Sequence, residues 1–93
     1  MTATGLTDAE VSQAKADPAN AGIEFQTLDV RDAKAVEAAL GSRHRLDALI
    51  NCAGQIRRAQ AELDPEVFAQ TVDVNLNGTL RCCTAARPAL KAA

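Results

Sequence analysis

The apolar and polar positions of this chain change period several times, and each change predicts an element. Thr2-Ala3-Thr4 before Gly5 reads as the end of a short strand that has almost no beginning. From Asp8 to Ala16 the good helix formers Ala9, Glu10, Ala14 and Lys15 predict a helix capped by Thr7 or Asp8 and ended by Asp17-Pro18. Ile23 to Val30 opens with apolar/polar alternation and is rich in β-formers, so it predicts a strand entered through Ala21-Gly22. Asp32 then caps a helix in which Ala33, Val36, Ala39 and Leu40 form one buried stripe before Gly41. Leu46 to Asn51 is a short apolar run ending in Asn51-Cys52-Ala53-Gly54, the pattern of a buried strand passing into a turn.

The last element carries the strongest signal. Asp64-Pro65-Glu66 is a good helix start, because Asp accepts orphan amide hydrogens and Pro at the first helical position loses no bond. Phe68, Val72, Leu76, Thr79, Leu80 and Cys83 recur at helical spacing as far as Arg87, where Pro88 is expected to interrupt. Asn75 falls on the same stripe, and a polar amide there needs hydrogen-bond partners. The order β-α-β-α-β-loop-α predicts an α/β fold, a parallel sheet covered by helices.

Composition narrows the possibilities. The 93 residues leave room for one small core and no second domain. A chain this short buries about 60 to 65% of its unfolded surface, so its stability is expected to be marginal. With 47% apolar residues and a net charge of −2, the chain is a globular segment with no bulk attraction to nucleic acid or anionic membrane. The absence of Tyr excludes any mechanism in which a tyrosine of this chain is the acid or base. Cys52, Cys82 and Cys83 have neither an even count for disulfides nor the spacing of a zinc site, and read as reduced cytoplasmic thiols. Met1 to Thr7 has no export-signal pattern, and no apolar run reaches the ~18 residues of a membrane span.

Three short patterns at matching intervals give the chain its resemblance. Leu28-Asp29-Val30 ends one strand, Asn51-Cys52-Ala53-Gly54 ends the next, and Val74-Asn75-Leu76 lies in the following helix. In that order, on those elements, they make the chain similar to the short-chain dehydrogenase/reductase family over nearly its whole length. The resemblance implies an incomplete Rossmann-like doubly wound parallel sheet, running from a partial second strand to the helix after the fourth. It also implies a nicotinamide dinucleotide, NAD or NADP, and a small alcohol or carbonyl substrate.

The resemblance also assigns roles. Asp29 would accept from the adenine amine and the Val30 amide would meet ring nitrogen; the plainer alternative is that Asp29 caps the helix entered at Arg31-Asp32. Ala53 and Gly54 lack bulk, so the turn can approach ribose and nicotinamide closely. Asn51 would brace that turn through neighbouring backbone, and Cys52 stands where Asn or Ala is commoner. Asn75 would bond a backbone carbonyl and water, positioning the family's lysine in a proton relay; a purely structural amide is the alternative. The segment Gln55-Ile56-Arg57-Arg58 resembles that of the 2-deoxy-gluconate 3-dehydrogenase-like sugar-acid dehydrogenases. There Arg57 and Arg58 could clamp a substrate carboxylate, or simply be solvated. His44 in a polar loop reads as solvent-exposed, and Cys83 as core.

Residues 1–93 show neither the glycine-rich phosphate loop nor the Tyr/Lys segment that completes the family's site. Thr4, Gly5 and Leu6, at the end of the partial strand, leave the choice between NAD and NADP undecided. The expected strand order 3-2-1-4 leaves Leu46–Asn51 without neighbours, so the isolated chain is expected to be poorly stable, to swap strands with another copy, or to be an internal piece of a longer open reading frame. Three readings stand: a dehydrogenase fragment inactive alone, a non-catalytic nucleotide-binding or subunit-pairing remnant, and a small α/β interaction module.

Overall fold

The computed structural model describes residues 1–93. β1 (Thr2–Gly5) and β2 (Glu24–Thr27) form a two-stranded parallel sheet, with Thr2 opposite Glu24 and Gly5 opposite Thr27. The parallel pairing requires a crossover, and α1 (Asp8–Ala16) with a 3-10 turn at Pro18–Asn20 supplies it. Thr7 caps α1 by accepting from the Glu10 amide at 3.2 Å, while the Glu10 carboxylate reaches back to the Leu6 amide at 2.9 Å. Val11 is the buried residue of α1. β2 is shorter than Ile23–Val30 because its ladder ends where β1 ends.

Asp32 caps α2 (Ala33–Val36) through the Lys34 and Ala35 amides, both at 3.1 Å, and the helix continues as a π turn over Glu37–Gly41. The long C-terminal helix is built in three parts: α3 (Pro65–Val72), a π turn at Asp73–Asn77, and α4 (Gly78–Lys91). Asp64 caps α3, accepting from the Glu66 amide at 2.9 Å, with Pro65 at the first helical position.

Four expectations are corrected. Leu46–Asn51 is not a strand: from Leu46 to Gly54 the backbone makes a single hydrogen bond, Leu46 N to Ala89 O at 3.0 Å. An extended segment needs a neighbouring ladder to become a strand, and the sheet contains β1 and β2 alone. Pro88 does not stop the last helix, which runs through it to Lys91.

The buried stripe of that helix also differs from the expected one. Phe68, Leu76 and Leu80 are 61%, 66% and 65% exposed, and Asn75 is exposed with them. The inner face of α4 is Gly78, Cys82, Ala86 and Ala89. The residues are small because the helix approaches its neighbours closely, and the π turn shifts the helical phase between α3 and α4. For the same reason Cys82 is buried and Cys83 exposed, the reverse of the expectation.

The core is shallow. Leu28, Val30, Val36 and Cys82 form its buried cluster, with Ala35, Ala39, Leu40, Leu49, Val74 and Ala85 packed around it. Eight of 93 residues are buried. The radius of gyration of 14.6 Å exceeds the roughly 12 Å of a compact chain of this length. No helix is long and apolar enough to cross a membrane.

Candidate functional site

The three patterns singled out in the sequence meet along one helix. The first lies beyond the carboxyl end of β2. Asp29 accepts from the Arg31 amide at 2.9 Å and takes a forked pair of bonds from the Arg31 guanidinium, the shorter at 2.8 Å. That guanidinium holds the Asp29 carboxyl below the usual carboxylate range. Asp29 is therefore not the helix cap, a task that belongs to Asp32. The adjoining Val30 N–H has no hydrogen-bond partner in the chain. Beyond β2, then, a carboxylate acceptor and an unoccupied amide donor lie side by side.

Val30 is pressed against the start of α4. A Cβ built on Gly78 would lie 2.5 Å from Val30 Cγ2, so only glycine allows this approach. From the next turn of α4, Arg81 Nη1 donates to the Val30 carbonyl at 3.1 Å and Nη2 pairs with Asp73 Oδ1 at 2.6 Å. Asp73 also accepts from Asn77 Nδ2 at 3.1 Å. The Arg81 and Asn77 donors hold the Asp73 carboxyl below its ordinary range. Arg81 was not singled out by sequence reasoning. The available signal was a cation and an anion eight residues apart on one helix, a spacing that an ordinary α-helix does not make into a direct pair.

The second and third patterns lock to each other. Asn75 Oδ1 accepts from the Gln55 N–H at 2.7 Å, and Asn75 Nδ2 donates to the Gln55 carbonyl at 2.9 Å. The amide side chain thus pairs with both the donor and the acceptor of one residue's backbone, as a residue of a neighbouring strand would. Gly54 makes room for it, since a Cβ there would lie 3.3 Å from Asn75 Oδ1. Gln55 is held a third time by its side chain, whose Nε2 donates to Thr71 Oγ1 at 3.2 Å. Asn75 thus has partners for both ends of its amide although the residue is exposed, where the helical stripe predicted burial.

Asn51 does not brace the turn through neighbouring backbone. Its Nδ2 instead donates to Cys83 Sγ at 3.5 Å on α4, the same helix to which this unpaired segment makes its one backbone bond. Cys52, Ala53 and Gly54 follow it, exposed, in irregular backbone. Arg57 joins Gln55, Ile56, Glu62, Phe68, Thr71 and Asn75 around an open cleft of about 250 Å³. Arg58 lies outside that lining, and His44 is exposed. No group of His, Cys, Asp and Glu side chains is placed to hold a metal ion.

The chain as a whole has counterparts among known proteins. The whole chain, residues 1–93, matches the short chain dehydrogenase family. The chain belongs to that family. Among solved structures it is similar to serine dehydrogenase from Escherichia coli, with 24% identity and a TM-score of 0.77, covering 96% of this chain and 44% of that one. It is also similar to gox2181, with 30% identity and a TM-score of 0.78, covering 96% of this chain and 38% of that one. The short chain dehydrogenase segment seen here thus spans less than half the length of either. Its sheet and helices are part of a Rossmann-like doubly wound fold.

The residues present fit the adenosine end of a dinucleotide. Adenine offers an amine donor beside a ring-nitrogen acceptor, and Asp29 with the Val30 N–H is the complementary pair. At the other turn, Gly54 has given its free side to Asn75.

Proposed function

We propose that residues 1–93 are part of a dinucleotide-binding domain and form one wall of the cofactor site of an NAD(P)-dependent oxidoreductase acting on an alcohol or carbonyl substrate. The observation that carries this reading is the unpartnered Val30 N–H beside the Asp29 carboxylate, at the carboxyl end of a parallel strand, where open α/β sheets bind nucleotides. A bound nicotinamide dinucleotide would supply hydride chemistry at its ring.

Every other contribution comes from the chain's own groups. Asp29 and Val30 would hold adenine, and Asn51, Cys52, Ala53 and Gly54 would pass beside ribose and nicotinamide. Asn75 keeps the turn after Gly54 in place through Gln55 and retains one amide hydrogen and one lone pair for a relay water. Arg57, on the cleft with Asn75, would meet a substrate carboxylate; Glu62 in the same lining opposes a second negative charge, and Arg58 would act only from outside it. With no Tyr in the chain, no residue here delivers the proton of the family's reaction, so the segment is inactive alone.

NAD fits better than NADP. Glu10 holds its carboxylate at the Leu6 amide, at the carboxyl end of β1, where the adenosine ribose of such folds lies. A 2′-phosphate there would meet like charge. The three free thiols fit a reducing compartment such as the cytoplasm.

Titrations of the chain with NAD, NADP and 5′-AMP, followed by amide NMR, test the reading. The expected result is weak binding, on the order of millimolar, that shifts the Val30 amide, with NAD ahead of NADP and no turnover. Submicromolar binding, or turnover by the chain alone, would refute it. A second reading, a non-catalytic segment that pairs with another subunit, draws on exposed Ile50, Phe68, Leu76 and Leu80. Sedimentation of a stable dimer with no nucleotide response would favour it.

A further inference from the structure

The peptide unit joining Val30 to Arg31 is held at both ends. Its N–H donates to Asp29 Oδ1 at 2.9 Å, and its carbonyl oxygen accepts from Arg81 Nη1 at 3.1 Å. The first bond is local and can form in a flexible turn. The second comes from 51 residues away and fixes the turn relative to α4. Gly78 removes the side chain that would keep the two apart. Arg81 lies on the second arm of a bridge: its other nitrogen pairs with Asp73, which opens the π turn, and Asn75 sits in that same turn. One guanidinium therefore links the turn at Asp29–Val30 to the element that presents Asn75 to Gln55.

We infer that Arg81 is a positioning residue: it sets the orientation of the Asp29–Val30 turn for adenine and, through Asp73, couples that turn to the Asn75–Gln55 lock. The inference rests on the dinucleotide reading above. Arginine suits the task because its planar fork serves a carbonyl and a carboxylate at once, which lysine's single ammonium does less well. A ligand that tightens one turn should then tighten the other, and coupling of this kind is reciprocal.

The test uses the full chain and 5′-AMP, with two readouts: the affinity of AMP at the Val30 amide and the hydrogen-exchange rate of the Gln55 amide. In the wild type, AMP should slow Gln55 exchange although it does not reach that turn. Arg81→Met should bind AMP about tenfold more weakly, the loss of one charge-assisted bond, and Gln55 should no longer respond. Arg81→Lys should recover part of the affinity. Asp73→Ala leaves the Arg81–Val30 bond and should keep most of the affinity while losing the Gln55 response, a separation that general destabilisation does not produce. Equal AMP affinity in Arg81→Met and wild type overturns the proposal, as does a Gln55 amide indifferent to AMP in the wild type. If Arg81→Met fails to fold, wild-type behaviour of both Arg81→Lys and Asp73→Ala overturns it instead. Failure of the wild type to bind AMP removes the dinucleotide reading itself, and the positioning role with it.

Discussion

Gly78→Ala sets two effects of opposite sign against each other. In a helix, replacing Gly by Ala is worth about 1 kcal/mol in favour of the folded state. Against it stands the position of the new methyl: 2.5 Å from Val30 Cγ2, 3.0 Å from Val30 Cβ and 3.4 Å from the Asp73 carbonyl. Carbon atoms in good contact are roughly 3.5 to 4.0 Å apart, so Val30 or the helix must move by about 1 Å. A rotamer change does not relieve the clash, because Val30 Cβ itself is too close and a β-branched side chain has few alternatives. Overpacking of this kind costs about 1 to 3 kcal/mol.

A 1 Å retreat of α4 would also stretch the 3.1 Å bond from Arg81 to the Val30 carbonyl. Overpacking less the helical gain leaves about 0 to 2 kcal/mol, and the weakened bond adds about 0.5 to 1, so the balance centres on a net destabilisation of about 1 to 2 kcal/mol. Urea unfolding followed by far-UV circular dichroism should show a midpoint lower by about 1 to 2 M, taking a slope of roughly 1 kcal/mol/M for a small chain. Val30→Ala should rescue part of the loss in the double variant, since residues in contact are not additive. A midpoint for Gly78→Ala equal to or above wild type, or strict additivity with Val30→Ala, would refute the reasoning.

Other outcomes follow from the same geometry. Asn75→Ala removes both bonds to Gln55 and should speed exchange of the Gln55 amide by at least about tenfold, at a net cost of about 1 to 2 kcal/mol; an unchanged rate would show that the lock does not form in solution. The Asp29 and Asp73 carboxyls are held below their ordinary value, by Arg31 and Arg81 respectively, so the unfolded chain binds more protons between its own carboxylate pKa of ~3.9 and the lower folded values. Their stabilisation is therefore complete above that range and lost as pH falls through it, and Asp73→Asn should flatten the acid limb of a stability-versus-pH curve. Maleimide labelling should modify Cys52 and Cys83 quickly and Cys82 slowly, because Cys82 is buried and burial raises its thiol pKa. Fast labelling of all three would place Cys82 outside the core.

Helix starts are legible in the sequence. Thr7, Asp32 and Asp64 each cap the helix that follows, as their residue types predict, because a cap is a contract between residues two or three apart. The meeting of Asp29-Val30, Asn51–Gly54 and Asn75 on one helix was legible only through the family resemblance, since nothing in their spacing alone brings them together. Where reading failed, the deciding partner was distant. The largest apolar residues of the last helix seemed its inner face, but close approach to Val30 favoured Gly78 and Cys82, and the π turn moved the phase that Phe68 had suggested.

Sequence alone is enough to locate where the helices begin, the alternation of the first two strands with helices, and membership of the short chain dehydrogenase family. These depend on contacts within a turn or two and on short patterns at regular intervals. Tertiary structure decided which face of α4 is buried, that Cys82 and not Cys83 is shielded, that Leu46–Asn51 stays unpaired, and that Arg81 ties Val30 to Asp73. Each of those depends on which surface arrives opposite a residue in space, and local periodicity carries no information about that.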